Sequence, residues 1–119
     1  GVSIQKVVLL FKSQSKRGET YSAVERRIEV GCIKSTLQTR KTCEYVFDNP
    51  KECNEKGFSF DPIKSSVDAG QKKDIIFRWQ PAADHDPSTV VNCSTIITVK
   101  GEVMMQYKIL LRGFIVSED

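Results

Sequence analysis

Apolar and polar residues alternate with a period of two along most of this chain, and almost nowhere with the 3.6-residue period of a helix. Ile4 to Lys12 predicts a strand that is apolar on both faces around Val7, Val8, Leu9 and Leu10, the pattern of a central strand. Ser13 to Thr20 follows as a polar turn centred on Gly18. Tyr21 to Ile33 resumes the alternation with Val24, Ile28, Val30 and Cys32 on one face; Arg26 interrupts that face, as at a bulge or a sheet edge. Residues 34–57 are less regular. There "TCEYVFD" reads as a strand with Cys43, Tyr45 and Phe47 inward, and Asp48, Asn49 and Pro50 open a polar loop with room for a short helix.

Phe58 and Phe60 alternate before Asp61-Pro62 ends their strand. The segment "SSVDAGQKKD" reads as a turn, with Gly70 where the backbone needs positive φ. Ile75, Phe77 and Trp79 then share one face, and Pro81, which has no N–H for a ladder, stops the strand. After the loop "AADHDPS", Val91 to Lys100 places Val91, Cys93, Thr95, Ile97 and Val99 inward. A tight turn over residues 100–102 returns the chain as Val103 to Val116, with Val103, Met105, Tyr107, Ile109 and Leu111 inward. About seven strands with turns at this spacing predict an all-β, immunoglobulin-like antiparallel sandwich.

Size and charge narrow the picture. The 119 residues suffice for one domain with its own core, the expectation here being a single domain over residues 1–119 cut from a larger multi-domain protein. No apolar run approaches the 18 residues of a membrane-spanning helix. A net charge of +3 is below the level at which nucleic-acid binding becomes the default, and the inward placement of Phe77, Trp79 and Tyr107 removes the aromatics a single-strand platform needs. The basic pairs Arg26-Arg27 and Lys72-Lys73 are the candidate protein-contact residues.

The four cysteines, Cys32, Cys43, Cys53 and Cys93, contain no C-x-x-C spacing, and the single histidine, His85, gives a zinc site poor support. They are expected as reduced thiols of an intracellular protein, with Cys43 and Cys93 acting as small hydrophobes. The sequon Asn92-Cys93-Ser94 lies within a strand-like run and reads as a chance match. No nucleotide-binding, metalloprotease or nucleophile-elbow motif is present, so no catalytic, cofactor or metal site is expected.

The order F-x-F-x-P, a Gly-bearing turn, I-x-F-x-[FW]-x-P, a spacer and a hairpin ending I-x-L-x-G resembles the ASH domain, the PapD-like relative of the major sperm protein domain. Phe58, Phe60, Pro62, Val67, Gly70, Ile75, Phe77, Trp79, Pro81, Ile109, Leu111 and Gly113 carry it. Trp79 stands where the family usually has Phe. The match covers roughly residues 58–116; with Ile4–Lys12 and Tyr21–Ile33 as the early strands, residues 34–57 become an insertion. The resemblance implies a non-enzymatic interaction module of a large cilia- or flagella-associated protein, contributing to assembly and motility of a cilium or sperm flagellum. It implies axonemal or cytoskeletal partners and neighbouring domains of the same chain, no nucleic acid, no membrane insertion, and a monomeric isolated domain. The alternative is a secreted or cell-surface adhesion sandwich with paired cysteines and a glycan at Asn92.

Overall fold

The computed structural model describes residues 5–15, 21–31, 42–101 and 104–117. Among them are eight strands and one short helix: β1 (Gln5–Ser15), β2 (Val24–Gly31), β3 (Thr42–Asp48), α1 (Lys51–Glu55), β4 (Phe58–Asp61), β5 (Lys64–Asp68), β6 (Lys72–Trp79), β7 (Val91–Lys100) and β8 (Met104–Ser117). They form two sheets, a five-stranded one in the order β1-β8-β7-β3-β5 and a three-stranded one in the order β2-β6-β4. This is an immunoglobulin-like β-sandwich.

The inward faces predicted from alternation make the core. Phe11, Ile75, Phe77 and Trp79 are fully buried, and Tyr45, Phe58, Ile109 and Leu111 nearly so. Aromatic rings join the two sheets: Phe47 of the larger sheet stacks on Phe60 of the smaller at 4.6 Å, and Phe11 meets Phe58 edge-on at 5.3 Å. Each such side chain contributes about 1.5–3 kcal/mol through burial. Polar atoms carried inward find partners. The Trp79 indole N–H donates to the Lys56 carbonyl at 3.2 Å, and the Thr95 hydroxyl donates to the Asp48 carbonyl at 3.0 Å.

Gly113 shows why the hairpin ends on glycine. A Cβ there would lie 2.7 Å from three carbons of the Trp79 ring, so only a residue without a side chain lets the indole lie against β8. Gly70 adopts φ +82° in the turn between β5 and β6, as the sequence predicts.

Four expectations need correction. Ile4–Lys12 reads as a central strand, but β1 is an edge strand that extends to Ser15 and pairs only with β8, in parallel, among the described residues. Its doubly apolar pattern arises because its outer face carries uncovered Val8 and Leu10. Residues 34–57 are not an insertion throughout: β3 lies inside the five-stranded sheet, bonded to β7 on one side and β5 on the other. Part of the "SSVDAGQKKD" turn is β5 itself, which adds the eighth strand because Val67 is buried opposite Cys43. Finally, the described cysteines are not free thiols. Cys53 of α1 and Cys93 of β7 form a disulfide, with Cα atoms 5.8 Å apart, and Cys43 is disulfide-bonded too. Alternation alone cannot distinguish a buried thiol from a buried half-cystine, which occupy similar apolar sites.

The short helix allowed by the sequence is α1, whose Cys53 is buried against β7. The β7–β8 hairpin forms with Lys100 opposite Met104. Met105, expected inward, is 39% exposed. Cys32, Gly18, Glu102 and Val103 lie outside the described residues.

Candidate protein-contact surfaces

A sandwich of two open sheets has four edges, and edges are where backbone groups lack partners. Here they are β1 and β5 on the larger sheet and β2 and β4 on the smaller. Two are short: β4 has four residues and runs into the cis Asp61-Pro62 bond, and β5 has five. The Lys73 ammonium reaches across to the Ser65 hydroxyl of β5. The edges with enough length to offer a continuous row of backbone groups are β2 and β1.

On β2 the register with β6 is regular from Val24–Trp79 to Gly31–Lys72, so Arg26 marks an edge position and not a bulge. Arg26 lies opposite Phe77, on the inward row, yet is exposed; among the described residues no third strand closes that side. An inward-pointing charge on an edge strand opposes further strand pairing. The outward row is a ladder of opposite charges. Glu25 meets Arg78 at 3.4 Å, Arg27 meets Asp74 at 3.6 Å, and Glu29 meets Lys72 at 3.8 Å. These pairs are solvent-exposed and each is worth about 0–1 kcal/mol. Their clearer effect is to neutralise the surface. Of the four candidate contact residues, Arg27 and Lys72 are paired with carboxylates, Lys73 bonds Ser65 on another face, and Arg26 stands apart on the inward row. The structure does not gather them into one basic patch.

On β1 the arrangement is opposite. Leu9, Phe11 and Ser13 are buried inward, with the Ser13 hydroxyl donating to the Ser22 carbonyl. The outward row reads Lys6, Val8, Leu10, Lys12. Val8 is 59% and Leu10 41% exposed. Beside them on β8, in register, lie Lys108, Leu110, Arg112 and Phe114. The result is an apolar strip bordered by four cations. Among the described residues none of these cations has a carboxylate partner; Arg112 donates instead to the Asn92 amide oxygen at 3.1 Å. Sequence reasoning overlooked this strip. Its signal was the apolar outer row of Ile4–Lys12, read there as the mark of a central strand.

His85 sits at one end of the sandwich, edge-on to both Tyr21 and Trp79, at 6.1 and 5.9 Å. The Tyr21 hydroxyl donates to its carbonyl at 2.6 Å, so the residue serves to pin the loop over the core. Next to it, two hydrogen bonds from Ser88 hold the Asp86 carboxyl below the usual range. Tyr45 is shifted up, chiefly by burial and secondarily by the Asp61 charge. Among the described residues no cluster of three or more His, Cys, Asp or Glu is placed to hold a metal ion.

No protein-family model matches this chain, and no curated protein does. Solved structures do. A chaperone from Pseudomonas aeruginosa, CupB2, superposes over 88% of this chain with a TM-score of 0.53 at 14% identity. The YadV chaperone superposes over 94% with a TM-score of 0.53 at 12% identity. The chain spans about half the length of each, 52% and 49%. The shared feature is the PapD-like immunoglobulin fold.

Proposed function

We propose that this domain is a non-enzymatic protein-interaction module, and that it serves in a large cilia- or flagella-associated protein whose partners are axonemal or cytoskeletal. The observation that carries the first part is β1: an eleven-residue edge strand with an uncovered apolar outer row. Exposed edges of that length and character are aggregation hazards unless a partner uses them. The PapD-like fold agrees with such a role, since two chaperones are built on it. The ciliary part rests on the ASH-like pattern. Its Phe58, Phe60, Val67, Ile75, Phe77, Trp79, Ile109 and Leu111 are all buried, and its final glycine receives the indole.

A second reading has its own support. Disulfides persist in oxidising compartments and are rare in the cytosol. The paired Cys53 and Cys93, the bonded Cys43, and an exposed Asn92 within its sequon favour a secreted or cell-surface interaction module. Tagging the endogenous chain in multiciliated cells separates the two. Axonemal retention after detergent extraction, with no glycan, is expected from the first. A glycosidase-sensitive mass and no axonemal signal would transfer the assignment to the second.

A further inference from the structure

We infer that the free edge of β1 accepts one added strand from a partner protein, an extended segment in which two apolar side chains are bracketed by carboxylates. Rows of four along the edge dictate the pattern: acidic, any, apolar, any, apolar, any, acidic. The inference rests on the domain being an interaction module and names where and what it binds.

The backbone direction comes first. Near the end of β1, the Gln14 N–H donates to the Ser22 hydroxyl at 3.1 Å, and the Ser22 N–H donates to the Gln14 carbonyl at 3.4 Å. Ser22 therefore sits on the side of β1 away from β8. In a strand, the N–H and C=O of a residue leave on one side and those of the next residue on the other. Residues 6, 8, 10 and 12 share the parity of Gln14, so their backbone groups point to the open side. The odd-numbered residues face the β8 ladder. Among the described residues no strand pairs with β1 on that open side.

The same parity fixes the side chains. Lys6, Val8, Leu10 and Lys12 carry the open-edge backbone groups and also form the exposed outward row. An added strand continues the sheet and lays its own outward row beside them at about 4.8 Å. Cross-strand neighbours at that spacing reward apolar against apolar and acid against base. Val8 and Leu10 ask for two apolar residues. Lys6 and Lys12, reinforced by Lys108 and Arg112 one strand further in, ask for a carboxylate on either side.

Charge also decides against the simplest rival, a second copy of this chain. If two β1 edges paired antiparallel with their Val8-Leu10 segments aligned, Lys6 of one would stand opposite Lys12 of the other at both ends. Like charges directly opposite are destabilising. The required pattern reads the same in both directions, so it fits parallel or antiparallel addition.

The test is fluorescence anisotropy of the folded domain with a labelled Glu-Thr-Val-Thr-Ile-Thr-Glu peptide at low salt. Saturable binding is expected, weakened at least tenfold when the terminal Glu residues are replaced by Lys. Leu10→Pro removes an N–H that points to the open edge and none from the β8 ladder, so folding survives while binding falls at least tenfold. Lys6→Glu with Lys12→Glu should reverse the preference between acidic and basic peptides. A peptide N-methylated at alternate edge-facing positions gives the same loss with the protein unaltered. Equal affinity for the acidic and basic peptides, an unchanged affinity in Leu10→Pro, no binding at all, or concentration-dependent dimers in sedimentation would each overturn the inference. If a native partner still binds Leu10→Pro with full affinity, this surface is wrong while the reading of the domain as an interaction module stands.

Discussion

The two long edges, β1 and β2, flank the same core and solve opposite problems. β1 is anchored hard and left bare: Phe11 and Ser13 are fully buried beneath it, while Val8 and Leu10 face solvent. β2 is anchored lightly and defended. Val24, Ile28 and Val30 are only half-buried, Arg26 blocks the inward row, and each outward charge from Glu25 to Glu29 meets its opposite on β6. A sheet edge is therefore not a contact surface merely by being an edge. What distinguishes the two is whether the residues beside the open backbone groups repel a further strand or wait for one.

The comparison breaks first at the inward faces. Phe11→Ala should cost about 3–5 kcal/mol in chemical denaturation, whereas Ile28→Ala, at a half-buried site, should cost no more than about 2 kcal/mol. Equal losses would mean that the two edges are held alike. Next comes the frame that carries them. Replacing Cys53 and Cys93 together by Ala opens a crosslink spanning 40 residues of sequence, a loss of up to about 4 kcal/mol by loop-closure entropy. Neither edge is touched, so amide exchange should still separate protected Leu9 and Phe11 from unprotected Val8 and Leu10.

A third change couples the edges. Gly113 lies in register with Phe11 of β1, and the Trp79 ring against it belongs to the residue paired with Val24 of β2. Gly113→Ala should cost about 1–3 kcal/mol through overpacking and loosen both edges in hydrogen exchange. Smaller still is the charge ladder: Glu29→Gln should change stability by less than about 1 kcal/mol, a difference that vanishes at high salt. The last effect lies away from both edges, on β3. Because burial raises the Tyr45 pKa, the neutral phenol is favoured in the folded state. Its contribution is complete below about pH 10, where the unfolded phenol begins to ionise, and is lost above that. An absorbance titration of the phenols should find one ionising later than free tyrosine.

Much of this was legible in the pattern of residues. Phe58, Phe60, Ile75, Phe77, Trp79, Ile109 and Leu111 were predicted inward and are buried, because period-two alternation leaves one face of each strand to the core. What alternation does not encode is which strand lies beside which. The outer row of β1 is apolar whether a layer covers it or a partner does, so the sequence pointed to the middle of a sheet and the structure places β1 at its rim. The candidate cations fared similarly. Arg27 and Lys72 are visible in the sequence, but their carboxylates, Asp74 and Glu29, belong to the facing strand, and only the β2–β6 register brings them together. β5 was hidden because five residues in a Ser- and Gly-containing stretch carry the marks of a turn.

The parallel pairing of β1 with β8 has a mechanical consequence. Gln5 lies beside Tyr107 and Ser15 beside Ser117, so chain arriving at β1 and chain departing from β8 do so at opposite ends of an overlap about 33 Å long. Tension applied through the two ends would drive these strands past one another lengthwise. The hydrogen bonds of the overlap would then share the force together instead of parting one by one. A domain wired in this way resists being pulled open along its length.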